Sequence, residues 1–457
     1  MRAQRMAALV LACIVGMAVL VYAGGLSFYF VADDFRYLEL AGQMRGPADI
    51  LPHLQGSCTR VGWPAVVLVF WLAGIIGGLQ PVFYRLFPLA IHAINVLLVF
   101  VLVRRATSAR ENAAALVAAL VFALHPRQHE AIMWLAALTW PAGTMFTLLA
   151  AICYVTWRQT SRLPWIAAAV LSVILAMISN PTVVVVPLIL VAYDVLQRRW
   201  APGMVVVWSG LAVIVGLLGL LCGFGSLPGG DQRASYGLGL SGVTHLAVFI
   251  SYIVLPVPLN LKDMLETTPL IGYTVVALTV GLICLAALGV LRQTLLARWG
   301  VIWSVLAIVP PALFSAYVSD RYMSVMLVGV ALACAGVVQG MSGRRLRLAA
   351  LVACLWVAFV LPQIMVKVED WRQASRLTAS VRDETLARYP QVADGTRFYY
   401  VDLPDMVNRS LVWSYGIDSA VRVWYNNPTL RAHKSVEFGV PVAPADGDLI
   451  LDYSGRW

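Results

Sequence analysis

The stretch RMAALVLACIVGMAVLVYAGGLSFYFVADDFRYLEL, residues 5–40, decides the fold. Met6 to Phe30 contains no Asp, Glu, Lys or Arg, and an apolar helix of about 20 residues is long enough to cross the hydrocarbon of a bilayer. The run is longer than the apolar core of a signal peptide and has no clear cleavage site, so it reads as a retained first span. Four charges follow at once: Asp33, Asp34, Arg36 and Glu39. A chain that is greasy up to this point has a reason to place them at the mouth of its first span.

The rest of the chain repeats the pattern. Its 457 residues are 60% hydrophobic and 12% charged, with a mean hydropathy of +0.80. A soluble domain carries about a quarter charged residues. The net charge is +10 from 33 Lys+Arg, but no basic cluster is interleaved with aromatic platforms, which argues against nucleic acid as a partner. The seven cysteines show no CxxC spacing, so neither a zinc site nor a disulfide framework is indicated.

Apolar segments at about 7–30, 82–103, 113–126, 131–157, 163–179, 181–197, 203–224, 270–291, 299–316, 322–340 and 346–366 predict an all-α polytopic bundle of about eleven transmembrane helices. With Arg2 and Arg5 in the cytoplasm, every second loop carries arginines, among them Arg104/Arg105, Arg198/Arg199 and Arg344/Arg345/Arg347. This is the positive-inside pattern. Two further apolar stretches, 63–79 and 241–257, would invert that order if they crossed. They are expected to lie along the outer face. Residues 1–366 then form the membrane domain, with outer loops at 31–81 and 225–269. Residues 367–457 form a small extracytoplasmic α/β cap, with a helix in VEDWRQASRLTASVRDETLARY and strands in TRFYYVDLP, KSVEFGV and DLILDYSG.

On this topology the polar clusters converge on the outer side. They are 33–39, LHPRQHEAIMW (124–134), SDRYMS (319–324) and the pair Lys262/Asp263. Asp33, Arg36 and Tyr37 share a helical face by their spacing. Adjacent carboxylates such as Asp33 and Asp34 resist joint ionisation unless a cation is near. The bland readings are a solvated helix end and a snorkelling polar turn. Ionisable groups at membrane depth are nonetheless costly and usually functional, and four patches on one face suggest a shared cavity. His125 and His129 are candidate metal ligands without an evident third partner. Asp320 and Arg321 pair with each other in the bland reading, whereas in the functional one Arg321 binds a phosphate.

Several of these stretches resemble a known superfamily. DDFRYLELAGQM (33–44) resembles the Asp-Glu-x-Arg-Tyr-x-Glu segment after the first helix of aminoarabinose-type lipid glycosyltransferases, with Asp34 in place of Glu, and the paired acids of protein O-mannosyltransferases. YRLFPLAIHAINVLLVF (84–100), with His92 and Asn95, is similar to a helix of the TPR-bearing O-mannosyltransferases. HPRQHEA (125–131) is similar to their His-Pro-x-His-x-Glu-Ala, with Gln128 where the second histidine belongs. DRYMSV (320–325) resembles Glu-Arg-Tyr-x-Tyr-x-Pro and gives Arg321 and Tyr322. In MISNPTVVVVPLILVAYD (177–194), Asn180 and Pro181 replace Lys-Glu, and the tail shows no TPR array. The resemblance covers about residues 1–366 and is to the GT-C glycosyltransferase superfamily.

It implies a sugar taken from a polyprenyl-phosphate donor and joined to an acceptor hydroxyl, at the outer face of a bacterial inner membrane and among membrane lipids. Asp33 is the expected base, with Asp34 the near alternative, and Glu130 is the third catalytic candidate. Arg36, Tyr37, His92, His125, Arg321 and Tyr322 are the expected substrate contacts, with Arg127 added from its location alone, and Arg36 is expected to pair with Glu39. Asp33, Asp34, His125 and Glu130 are the candidate ligands of a divalent ion. The rival readings are a transporter of lipid-linked sugars and a degenerate scaffold, the latter motivated by Gln128, Asn180 and Pro181.

Overall fold

The computed structural model describes residues 2–50, 64–107, 111–198, 240–257, 261–314, 318–437 and 440–456, together with the single residues 210, 213 and 259. Among them, seven helices are long and apolar enough to cross a membrane: Ala3–Ser27, Pro81–Ala106, Leu135–Thr160, Pro269–Val290, Leu295–Leu313, Asp320–Val338 and Gly343–Arg388. The expected spans at 113–126, 163–179 and 181–197 are helical but shorter, at Asn112–Leu124, Leu163–Ser179 and Thr182–Gln197. The segment 131–157 is broken at its start. A short helix, His129–Met133, and a 3-10 turn, Leu135–Leu138, precede the long helix Thr139–Thr160. The stretches expected along the outer face, 63–79 and 241–257, contain the helices Pro64–Gly77 and Leu240–Ser251. The expected span 203–224 and the loop segments 51–63 and 225–239 lie outside the described residues, save 210 and 213.

Small residues let the bundle close. In helix Leu295–Phe314, a Cβ built on Gly300 would lie 2.6 Å from the Gly329 carbonyl oxygen of helix Ser324–Val338. A Cβ on Gly329 would lie 2.5 Å from Ser304 N in return. Close backbone approach of this kind is how membrane helices gain packing where the hydrophobic effect gives none. Trp299 and Trp303, both fully buried beside this contact, donate their indole N–H groups to the carbonyls of Ile189 (2.9 Å) and Val325 (3.0 Å). No water reaches this depth to satisfy them otherwise.

The boundary placed at 366/367 falls inside one helix. Gly343–Arg388 runs 46 residues without a break, about 69 Å at 1.5 Å per residue. Its first half leaves Leu348, Leu351, Leu355 and Phe359 exposed, as a lipid-facing surface requires, while its second half buries Lys367, Asp370, Trp371 and Ser375. It leads into a three-stranded parallel sheet. Arg397–Val401 lies between Arg431–Lys434 and Leu449–Asp452, with Phe398 opposite Ala432 and Leu449. The strand expected in KSVEFGV is displaced upstream, because Val436–Glu437 instead pairs with Val440–Pro441 in a hairpin of its own. The crossover helix Ile417–Tyr425 was not expected from the sequence.

Candidate functional site

Two loops at the end of the bundle nearest the C-terminal unit build the floor of the site. One follows the first span at Phe28–Asp33; the other runs from Met133 to Ala136. Two buried charged side chains stitch them together. Arg85, on the Pro81–Ala106 helix, donates to the carbonyls of Phe28, Tyr29 and Met133, each at 2.6 Å. Asp34, fully buried, accepts the N–H of Val31 on Oδ2 (3.1 Å) and of Ala136 on Oδ1 (2.9 Å). Burial pushes the Asp34 carboxyl up to about 7, against the pull of Arg85 and the two N–H donors. With both oxygens occupied by backbone, Asp34 is a fastening rather than an alternative base.

Its neighbour points elsewhere. Asp33 lines a cavity of about 750 Å³ together with Arg36, Tyr37, Glu130 and Arg321, so five of the ten expected site residues meet there. Burial raises the Asp33 carboxyl above the ordinary range, and the opposing charges of Arg36 and Arg321 hold it back. Glu130 accepts from Ser319 Oγ at 2.6 Å on each oxygen, and from Arg321 through both its backbone N–H (3.2 Å) and its guanidinium. Arg321 is also framed by rings, 4.7 Å from the centroid of Trp134 and 4.8 Å from that of Tyr322. A guanidinium fixed by a carboxylate and two aromatic faces loses little entropy when it meets an anion.

The remaining expected contacts lie off the cavity. Arg127 is fully buried, paired to Asp320 (3.0 Å), donating to Pro256 O (3.0 Å) and stacked 3.7 Å from the Tyr252 centroid. It secures a loop rather than reading substrate. His125 accepts the Arg127 N–H on Nδ1 (3.3 Å) and so donates from Nε2 to Ile253 O (3.2 Å). Burial holds its pKa down to about 4, which keeps it neutral. His92 contacts the Ala123 carbonyl (3.1 Å) and Asn95 that of Pro141 (2.9 Å), locking helices together. Tyr322 packs on Trp140, and its hydroxyl accepts from Arg321 at 3.2 Å.

Neighbouring charges also part differently from the sequence reading. Asp320 pairs with Arg127 and with His129 Nε2 (2.9 Å), not with Arg321. Glu39 is held by Arg422 of the C-terminal unit, Nε to Oε1 at 2.6 Å and Nη2 to Oε2 at 3.0 Å, where a local pair with Arg36 was expected. Among the described residues, no three His, Cys, Asp or Glu side chains gather in a metal-holding group. Of the four expected ligands, Asp34 and His125 face away from the cavity.

The cavity has lining that the sequence did not single out. Trp134 and Lys367 are two such residues, and Arg409 and Tyr415 come from the C-terminal unit. Lys367 donates to Asp370 (2.8 Å) and to the Asn408 carbonyl (3.2 Å). The spacing of Lys367 and Asp370 on a helix continuing out of a span was a legible hint, whereas nothing local marks Arg409 or Tyr415. His129 also lines the cavity; its Nδ1 accepts from Trp371 Nε1 at 3.1 Å, so its proton lies on the Nε2 that meets Asp320.

The chain shares its fold with a solved membrane protein. The crystal structure of ArnT from Cupriavidus metallidurans bound to undecaprenyl phosphate matches with a TM-score of 0.52 at 14% identity, covering 92% of this chain and 85% of that one. The same protein in the apo state matches with a TM-score of 0.50. In sequence, the protein O-mannosyl-transferase Tmtc1 of Drosophila melanogaster is 30% identical over 148 residues, which is 30% of this chain and 17% of the length of Tmtc1. No protein-family model matches the chain. The architecture is the GT-C fold, a helical membrane bundle with a small α/β unit at its C-terminal end.

Proposed function

We propose that this chain is a glycosyltransferase that moves a sugar from a polyprenyl-phosphate carrier to an acceptor hydroxyl. The reading rests on one observation: Asp33, Glu130 and Arg321, from three distant parts of the sequence, line a single cavity. The fold shared with a protein crystallised with undecaprenyl phosphate supports the lipid-phosphate donor. The match to an O-mannosyl-transferase supports mannose as the sugar.

Asp33 is the base. Its raised pKa makes it a stronger proton acceptor than a surface carboxylate, and the charges of Arg36 and Arg321 oppose that rise. It takes the acceptor's hydroxyl proton as the acceptor oxygen bonds to the anomeric carbon. The bond from that carbon to the phosphate oxygen breaks, and its electron pair leaves with the phosphate. Arg321 meets the charge that develops there, held in place by Glu130, with Arg36 beside it. One displacement inverts the anomeric centre. The donor set does not fit a resident divalent ion. Glu130's oxygens are taken by Ser319 and Arg321, and those of Asp320 by Arg127 and His129, so no step runs through one.

The chemistry belongs to the outer face of a bacterial inner membrane, with the N-terminus cytoplasmic and the C-terminal unit outside. A reporter fused after Trp457 should read as extracytoplasmic; a cytoplasmic signal would reverse the orientation. The function itself is tested by sugar release from radiolabelled polyprenyl-phosphate sugars in membranes holding the intact protein or its Asp33→Asn variant. Release that the variant abolishes supports the reading. No release with any donor from a folded protein, or full release by the variant, refutes it.

A further inference from the structure

The C-terminal unit sends a segment of its own into the cavity. It follows the hairpin formed by Met406–Val407 and Ser410–Leu411, and it is fastened to the loop that carries Asp33. The Val412 carbonyl accepts the Ala32 N–H at 2.9 Å. Trp413, fully buried, stacks on Phe35 with centroids 5.5 Å apart and planes 13° from parallel. Gly416, at φ +88°, passes so close that a Cβ there would meet the Ala32 carbonyl oxygen and lie 3.6 Å from Asp33 N. In the helix that follows, Ile417–Tyr425, Arg422 reaches back to Glu39.

These fastenings bracket Tyr415. Trp413 anchors the chain two residues before it, and Gly416 abuts the backbone of Asp33 immediately after it. The Tyr415 side chain lines the cavity, as do Asp33 and Arg321, whose charges act on its phenol. Its phenol is only partly buried, and burial followed by the nearby Asp33 charge raises its pKa. It is therefore a neutral group that both donates and accepts.

We propose that Tyr415 is a substrate-contacting residue whose hydroxyl hydrogen-bonds a hydroxyl of the sugar being transferred, so that the C-terminal unit takes part in sugar recognition. This rests on the glycosyltransferase reading and extends it to the sugar subsite. Three groups of a lipid-phosphate sugar must be seated. The phosphate goes to the cations, foremost Arg321. The polyprenyl chain needs apolar surface. The sugar, joined through its anomeric carbon to the phosphate and approached by the acceptor that Asp33 deprotonates, falls between Asp33 and Arg321. Tyr415 borders both, and a neutral phenol matches a neutral sugar hydroxyl better than it matches a phosphate.

The test is binding, by the full-length protein in nanodiscs, of undecaprenyl phosphate and of undecaprenyl-phosphate mannose. Tyr415→Phe keeps the ring and removes only the hydroxyl. It should weaken the mannosyl lipid roughly 3- to 10-fold, the range of one neutral hydrogen bond, and leave undecaprenyl phosphate unchanged. Gly416→Val, which pushes the segment off Ala32, should lose the same preference. The proposal is overturned if Tyr415→Phe leaves both affinities unchanged or weakens both equally, or if the intact protein binds the two lipids equally well. An intact protein that binds neither lipid refutes this inference and the proposed function together. One that prefers the mannosyl lipid through Tyr415 yet transfers no sugar refutes the proposed function alone.

Discussion

Asp33 and Asp34 are adjacent and chemically identical, so converting each to Asn separates site from scaffold. In Asp34→Asn, the single amide oxygen can accept only one of the two backbone N–H groups now shared between Oδ2 and Oδ1, those of Val31 and Ala136. The amide NH₂ turns toward the other, leaving a buried donor facing a donor. The attraction between the Asp34 carboxylate and Arg85 is lost as well. An unsatisfied buried donor costs about 1–3 kcal/mol, a large share of a marginal stability. The loops at Val31 and Ala136 should loosen, and the purified protein should unfold at a lower temperature. Asp33→Asn relieves the desolvation of a buried carboxylate. It should leave the midpoint at or above that of the intact protein while abolishing sugar release. Thermal unfolding in detergent, paired with the release assay, reads both effects. An Asp34→Asn protein as stable as the intact one, or an Asp33→Asn protein that unfolds early, would refute the division of labour.

Two further outcomes follow from the same structure. On the proposed mechanism Asp33 must be ionised to act as the base, and burial raises its pKa; the acid limb of the release rate should therefore lie above the usual carboxylate value of about 3.9, with activity rising as pH rises through it. A limb at or below that value would remove Asp33 as the titrating group. Gly300→Val would drive a side chain into the Gly329 carbonyl, and overpacking of this kind costs about 1–3 kcal/mol; a lowered unfolding midpoint is expected, and an unchanged one would show that the two helices have room to part.

The membrane bundle was legible because hydrophobic runs and arginine placement are local signals. The site was half legible. Asp33, Glu130 and Arg321 sit in motif stretches at helix ends, and charge at such places announces itself. What sequence could not reveal was which way each charge turns. Asp34 and Asp33 differ by one position on a helical turn, and only the packing of the 133–136 loop decides that Asp34 faces inward. Arg127, expected from its location alone, and Arg321, expected from its motif, part in the structure, where Asp320 and Tyr252 capture the first and Glu130 captures the second. Lys367, Arg409 and Tyr415 were missed for a different reason. The helix that carries Lys367 crosses the boundary drawn between the two domains, and the other two reach the cavity only because the C-terminal unit docks on the Asp33 loop.

That docking bears on whether departures from the family motifs imply lost function. Gln128, Asn180 and Pro181 motivated the reading of the chain as a degenerate scaffold. Neither Gln128 nor Asn180 lines the cavity. Gln128 is buried and accepts from Ser324 Oγ at 3.2 Å, joining the His129–Met133 region to the helix that begins at Ser324. Asn180 ends the helix Leu163–Ser179 and accepts the N–H (3.0 Å) and hydroxyl (2.8 Å) of Thr182, opening the 3-10 turn Pro181–Val185. A proline suits that first position because its missing N–H would have had no partner there. These are changes in how helices are joined. Asp33, the Arg321 guanidinium with Glu130, and the segment that brings Tyr415 beside them are held by other residues, so the substitutions that prompted the scaffold reading do not argue for it.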